Sequence, residues 1–531
     1  MSFPKYFKLI LLVSAMMVSA LAYGQESEFS RVTKLPNPDF DNTVVAKVAD
    51  LEITSSEFVL NYEFGPSFLK RQKDSKRRYL EIMIYEKLLA LKGYEAGLLD
   101  LPSAQRSFRE IHNDLITEEF YKDEILSRVN LTQKEIDKGV TKSQIEVELK
   151  WLYSNDPEVI LTLMNKLNSG TPFDSLFKQQ ISDSVKSEDR QWRTNLFKLQ
   201  QQNPELYSIV DTLKIRQFSN PIKTGDGWYI VLVNNIVKNV IIGEAGYQDQ
   251  YHKVKKLITK QKSDSLSDEY VREMMIEHDP VIDRQNFNIL RAKIGKEFLR
   301  PEKFSDWDLP DSTGNAELSD SMFVKLWRDS VLVSYKSGSV TIGEFWDWYE
   351  IRKQYLKFNT NTRESYFVSV QQSIWRMLRD KILIERAQAA EISKLEIVKI
   401  QEKWWRDKIV YSAMKEKIAA SIDITEERLI QFYNDNLHNY KGKNGHILPF
   451  EKVKNNVKSE YYREEYMAKL IREIQKLKQK YRISVNDEVL ANTKVEDEEN
   501  PKTIDVYTVK KGGTLPRQPY PTIDWEWQSW Y

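Results

Sequence analysis

The sequence contains no cysteine. That excludes a disulfide framework, a thiolate metal site, a cysteine nucleophile and a lipid-anchored N-terminal cysteine. Glycine (18) and proline (17) are sparse for 531 residues, while 30% of the residues are charged, a balance that favours long, solvated helices. Neither sign of charge dominates: 79 Lys and Arg against 78 Asp and Glu leave a net charge of +1, which gives no footprint for nucleic acid. Histidine occurs only five times. No His/Asp/Glu group has metal-ligand spacing and no Ser/His/Asp arrangement is supported, so neither a metal nor another cofactor is expected. Long apolar runs are also missing: the run from Leu9 to Ala22 falls short of the roughly 20 residues of a membrane-spanning helix.

That short run instead has the form of a secretory signal. Lys5 and Lys8 precede it, and Ala22-Tyr23-Gly24 supplies a small-x-small cleavage pattern. The expectation is a signal peptide over 1–24, a mature chain starting at Gln25, and export to the periplasm without a transmembrane anchor.

An internal repeat organises the mature chain. Residues 44–63 align without a gap to 331–350, with Thr54, Glu57, Phe58, Tyr62 and Glu63 matched by Thr341, Glu344, Phe345, Tyr349 and Glu350. Each copy reads as a strand, a turn and a helix capped by the threonine or its neighbour. An amphipathic helix follows each, and Glu86-Lys-Leu-Leu pairs with Asp380-Lys-Ile-Leu. A charged helix closes each copy, opening at Tyr251 in the first and at Phe450 in the second. The apolar positions keep no strict heptad, which argues against a coiled coil. Only the first copy carries an interruption, over 144–237, with strand-like runs at Ile145–Tyr153 and Trp228–Val233.

The expected fold is therefore α+β, mainly α, with two tandem helical units, the first carrying an α/β insert. The expected boundaries are 25–143 for the N-terminal part of the first unit, 144–237 for the insert and 238–300 for the returning helix. A linker over 301–330, the second unit over 331–490 and a tail over 491–531 complete the chain.

The order of elements and the insert's motifs resemble the SurA/PpiC-type periplasmic chaperones and the parvulin-type peptidyl-prolyl isomerases. The motifs are Ser169-Gly-Thr-Pro-Phe-Asp-Ser-Leu-Phe177, Ser182-Asp-Ser184, Asn203-Pro-Glu-Leu206, Phe218-Ser-Asn-Pro-Ile222 and Gly225-Asp-Gly-Trp-Tyr-Ile-Val-Leu-Val233. The resemblance implies two chaperone units, a parvulin-like domain at the insert and unfolded exported chains as clients. It also marks a departure. Active parvulins usually carry histidines on the first strand and in the last strand; here those positions fall at about Trp151 and at Tyr229, and no histidine lies inside the insert.

Prolyl isomerisation needs no covalent step and no cofactor; a cleft that desolvates the amide and holds the proline ring suffices. Trp151, Tyr153, Trp192, Phe197, Trp228 and Tyr229 are the insert's candidates for such a peptide-binding cleft, with ordinary packing as the alternative for each, and no residue is put forward as catalytic. Val506–Leu515 resembles the opening of a peptidoglycan-binding LysM module, but only 16 residues follow and that reading is discarded. The C-terminus ends in an aromatic cluster. Tyr520, Trp525, Trp527, Trp530 and Tyr531 are read as partner-docking residues. The function expected is a periplasmic folding factor with little isomerase activity. Its rivals are a true prolyl isomerase and an accessory subunit of an outer-membrane assembly or secretion complex.

Overall fold

The computed structural model describes residues 41–70, 72–240, 243–307, 309, 318–442, 444–495, 514–515 and 517–530; the expected signal peptide lies outside them. The chain opens with a hairpin, β1 (Val44–Val48) and β2 (Leu51–Thr54), and three helices, α1 (Ser55–Phe64), α2 (Ser75–Glu95) and α3 (Pro102–Glu124). Helix α4 (Gln133–Ser143) leads into the insert: β3 (Ile145–Ser154), α5 (Pro157–Asn168), α6 (Phe173–Gln179), β4 (Gln191–Asn195), α7 (Leu196–Gln202), α8 (Pro204–Val210), β5 (Ile222–Lys223) and β6 (Trp228–Lys238). The first run ends with α9 (Glu244–His278), β7 (Val281–Ile282) and α10 (Arg284–Phe298), followed by the short helices α11 (Pro301–Asp306) and α12 (Asp320–Trp327). The second run repeats the order: β8 (Val331–Tyr335), β9 (Gly338–Thr341), α13 (Ile342–Arg352), α14 (Arg363–Ala389), α15 (Glu396–Ala420), α16 (Glu426–Asp435), α17 (Phe450–Lys480), β10 (Ile483–Val485) and α18 (Asp487–Asn492). The fold is α+β and mainly α, and no helix among the described residues is long and apolar enough to cross a membrane.

The repeat is visible in the caps. Thr54 Oγ1 accepts the Glu57 amide at 3.2 Å, and Thr341 Oγ1 accepts that of Glu344 at 3.2 Å. Such caps satisfy amides that a first helical turn leaves unpaired. Thr132 and Thr425 cap α4 and α16 in the same way.

The halves do not close on themselves, however. β7, from the end of the first run, pairs with β8 of the second, with Val281 opposite Ser334. β10, from the end of the second run, pairs with β1 of the first, with Ala46 opposite Val485. The cores follow the strands. Val45, Ile53, Phe58, Tyr79 and Leu88 share one buried cluster with Tyr411, Met414 and Ile418 of α15 and Leu470, Ile474 and Leu477 of α17. Helix α15 packs on both α2 and α3, and α14 packs on α3. The tandem arrangement, each unit complete over its own stretch of sequence, is therefore corrected. Among the described residues, those from 41 to 124 and from 275 onward form one compact unit and those from 125 to 274 the other. A repeat read along the chain identifies like elements but not their partners, because an exposed strand edge accepts any strand of matching register.

Within the larger unit a buried lysine joins the two runs. Lys87 Nζ lies 2.7 Å from Glu57 Oε1 and 2.7 Å from Asp407 Oδ2, with the Lys87 and Asp407 side chains each 7% exposed and that of Glu57 6%. The Tyr94 hydroxyl donates to Asp407 Oδ1 at 2.6 Å. Burial by itself would strip the Lys87 ammonium of its proton, but the carboxylates of Asp407 and Glu57 outweigh it and raise the pKa above the ordinary lysine value. Burial raises the Glu57 carboxyl, and Lys87 offsets only part of that. One cation thus serves two acids, and removing it strands both. Lys87→Met is expected to cost roughly 3–5 kcal/mol, the usual penalty for breaking a buried ion pair from one side. Equilibrium urea unfolding followed by circular dichroism measures it, and a loss under about 1 kcal/mol, the range of exposed pairs, would show the triad to be incidental.

Candidate functional site

The insert forms a four-stranded antiparallel sheet in the order β4-β3-β6-β5. Side chains of its two long strands alternate between the faces, with a register irregularity at Glu148/Leu149. Val147, Leu149 and Trp151 of β3 and Tyr229, Val231 and Val233 of β6 face Leu196, Leu199, Leu206 and Val210 of α7 and α8. Leu152, Ile230 and Leu232 face α5 and α6 on the other side.

This alternation sorts the six cleft candidates. Trp151, Tyr153, Trp192 and Tyr229 fall on one face. Trp228 falls on the other, against the α5 and α6 cluster. Phe197 leaves the sheet altogether and packs among Ile136 and Val140 of α4 and Val254 and Ile258 of α9. Trp228 and Phe197 therefore do not join the others. A single step along a strand reverses the face, which places Trp228 opposite Tyr229; Phe197 follows the helical period of α7 instead.

Trp151 and Tyr229, at the positions where the resemblance expects histidine, are 2% and 3% exposed. Tyr229 lies opposite Tyr153 across the β3–β6 pair, with the ring centroids 4.9 Å apart. The Tyr229 hydroxyl donates to Asp226 Oδ2 at 2.7 Å, and that of Tyr153 donates to the Asp226 carbonyl at 2.6 Å. The Arg190 guanidinium sits 4.9 Å over the Tyr153 ring. Gly227 is required here, since a Cβ at that position would lie 2.6 Å from the Tyr153 ring and 2.8 Å from the Ser154 carbonyl. Burial, then the bond to Asp226 and its charge, raise the Tyr229 hydroxyl well above its ordinary pKa, and burial followed by the Asp226 charge raises that of Tyr153. Neither phenol serves as a base near neutral pH. The cluster offers aromatic faces, a cation and hydrogen bonds that hold a shape. Sequence reading missed Arg190 and Asp226; the Gly-Asp-Gly turn at 225–227 was the available signal for the second.

No family model matches the chain. It is 22% identical over 209 residues to foldase protein PrsA 2 of Bacillus cereus, which covers 36% of this chain and 68% of that protein. It is 23% identical over 233 residues to a parvulin-like PPIase of Rickettsia bellii, covering 42% of this chain and 79% of that protein. Among solved structures it is similar to the peptidylprolyl isomerase PrsA of Bacillus cereus, 18% identical, over 42% of this chain and 87% of that one, with a TM-score of 0.24. The foldase and the parvulin-like isomerase among these relatives support the resemblance to the parvulin-type peptidyl-prolyl isomerases.

The reading of the aromatic tail as a docking segment is corrected by the structure. Trp527 is fully buried in the cluster that holds Phe58, Tyr79 and Tyr411, and Tyr520 is buried with Leu60 and Trp404. Both are consumed by the chain's own larger unit. Trp525, 47% exposed, keeps free surface, while Tyr531 and the side chain of Trp530 lie outside what is described. The physical reason is polar as well as apolar. The Trp527 indole donates to Glu86 Oε1 at 2.9 Å, which a segment left in water would not need. Asp524 lies 2.8 Å from Lys408 Nζ and 2.5 Å from Lys415 Nζ and accepts from the Tyr411 hydroxyl at 2.8 Å. Further back, Arg517 Nε lies 2.5 Å from Asp114 Oδ2, both side chains almost wholly buried.

Burial would raise the Asp524 carboxyl, but the ammonium groups of Lys408 and Lys415 more than offset it and hold it well below the ordinary carboxylate value of 3.8. A folded-state pKa below the unfolded one contributes stability that is present above the unfolded value and lost as pH falls through it. The thermal midpoint is therefore expected to fall as pH drops below about 4, and Asp524→Asn is expected to lower the midpoint at pH 7 more than at pH 3. Calorimetric scans of both proteins at the two pH values test this; an equal effect at both refutes the electrostatic anchoring.

Proposed function

We propose that this chain is a periplasmic folding factor that binds unfolded exported polypeptides and has little prolyl isomerase activity. The observation that carries the second half is the replacement of both histidine positions by Trp151 and Tyr229, side chains packed into the sheet's own core. A histidine switches protonation near neutral pH and presents a nitrogen to the substrate amide; a buried indole and a phenol already donating to Asp226 do neither. Support for the first half comes from relatives named as a foldase and a parvulin-like isomerase. Export is supported by the charge and apolar pattern of residues 1–24. Tyr153 and Trp192 on one face and Trp228 on the other are partly buried and offer aromatic surface to a client.

The test uses one protein in two assays. In a protease-coupled assay on a proline tetrapeptide, the rate is expected to stay within about twofold of the uncatalysed one. In a light-scattering assay, an unfolded exported protein is expected to aggregate less with the chain present. Turnover matching an active parvulin would overturn the first expectation, and undiminished scattering at stoichiometric ratio would overturn the second.

A further inference from the structure

The tail's seat has the chemistry of a peptide-reading groove. Asn61 of α1 grips the tail by its main chain: the Asn61 Nδ2 donates to the Pro521 carbonyl at 2.9 Å, and its Oδ1 accepts the Ile523 amide at 3.0 Å. The Tyr79 hydroxyl holds the Asn61 carboxamide in place at 2.9 Å. A carboxamide that takes the carbonyl of one residue and the amide two residues on reads an extended backbone whatever its side chains. Around that grip the groove is selective. Lys408 and Lys415 take Asp524, and the buried Glu86 takes the Trp527 indole three residues later. An open pocket of about 270 Å³ lies beside the seated tail, bordered by Trp405 and Lys408.

The repeat shows what a closed seat looks like. In the ungapped alignment Asn61 corresponds to Trp348, and in the separate match of the following helices Glu86 corresponds to Asp380. There the Trp348 indole, from the same half's own helix, donates to Asp380 at 2.9 Å. The second copy thus supplies the indole from within; the first replaces that tryptophan with the main-chain grip of Asn61 and takes its indole from a segment more than 400 residues away in sequence.

We propose that this groove is a polypeptide-binding site, with the tail as its exchangeable resident, and that it takes client segments that are extended and present an aliphatic residue, an aspartate and, three residues after the aspartate, a tryptophan. Simple departure of the tail would leave Asp114 and Lys415 without their partners and Glu86 and Lys408 with only each other, which is costly in a buried setting. A segment that supplies the aspartate and the indole in their places avoids that cost at Glu86, Lys408 and Lys415, where the tail supplies Asp524 and Trp527. The groove therefore opens by exchange, and the tail sets the affinity that a client must exceed. This inference is independent of the insert: it stands or falls whatever the isomerase assay gives.

The test is a labelled peptide of residues 514–530 titrated into the full chain, wild type and Asp524→Asn/Trp527→Ala, by fluorescence anisotropy. A tethered tail competes at an effective concentration on the order of millimolar, so weakening it in place is expected to tighten apparent binding of the free peptide at least tenfold, while a peptide of the same composition in scrambled order binds neither protein. Equal affinities for the two proteins, or equal binding of the scrambled peptide, would overturn the proposal. If the double variant does not fold, hydrogen exchange on the unmodified chain decides. Excess peptide is expected to speed exchange at the Ile523 and Asp524 amides while those of α2 and α15 stay protected. Exchange of the tail only together with those helices, or no change at all, would sink it.

Discussion

The larger unit depends on one buried cation. Lys87 belongs to α2, one of its acids to α1 and the other to α15 of the opposite repeat. An ammonium placed in a protein interior must find its compensation within bonding reach. Here both carboxylates are brought to it only when the two runs of the repeat are interleaved. Apolar contacts across α2 and α15 tolerate small slips in register; two 2.7 Å ion pairs to one nitrogen do not. The interleaving of the strands and the joint core are both consistent with that single geometric demand.

Polar groups buried against the tail extend the same logic to the C-terminus. Asp114 and the Lys408–Lys415 pair find counter-charges on residues 517–527, and Glu86, already paired with Lys408, takes the Trp527 indole there as well. A bundle built from those helices alone would carry uncompensated charge in its interior. The tail is therefore part of how the bundle satisfies its own electrostatics, even where its apolar side chains make it look like an appendage.

Periodicity encodes local structure, and local structure is what the sequence disclosed. The strand–turn–helix copies, the capping threonines and the insert's two long strands were legible, because each is a local pattern: Thr54 and Thr341 announce their helices within four residues. The histidine-free insert was legible for the same reason. Strand exchange between the halves was not, since nothing local in Val281-Ile282 or Ile483–Val485 says which hairpin each will extend. The tail was misread because a terminal segment rich in proline and tryptophan looks the same whether its aromatic residues meet a partner or its own body. What distinguishes the cases is Glu86 and Asp114, acids on apolar helix faces far upstream. Of the six aromatic candidates in the insert, strand alternation could have set Trp228 apart from Tyr229, and the helical reading of α7 could have removed Phe197.

Exchanged strands also impose an order of events on the nascent chain. The hairpin at residues 44–54 emerges early, yet the strand that completes its sheet lies at 483–485. For more than 400 residues of synthesis that edge has no native partner. By contrast, the insert's strands pair within residues 145–238 and are closed by their own neighbours. Domains with near-neighbour contacts form first, and pairings across long loops come last. The polypeptide thus acquires its smaller unit while the larger one still waits for its C-terminus, and during that interval it is itself an incompletely folded chain with an open strand edge and unpaired buried charges.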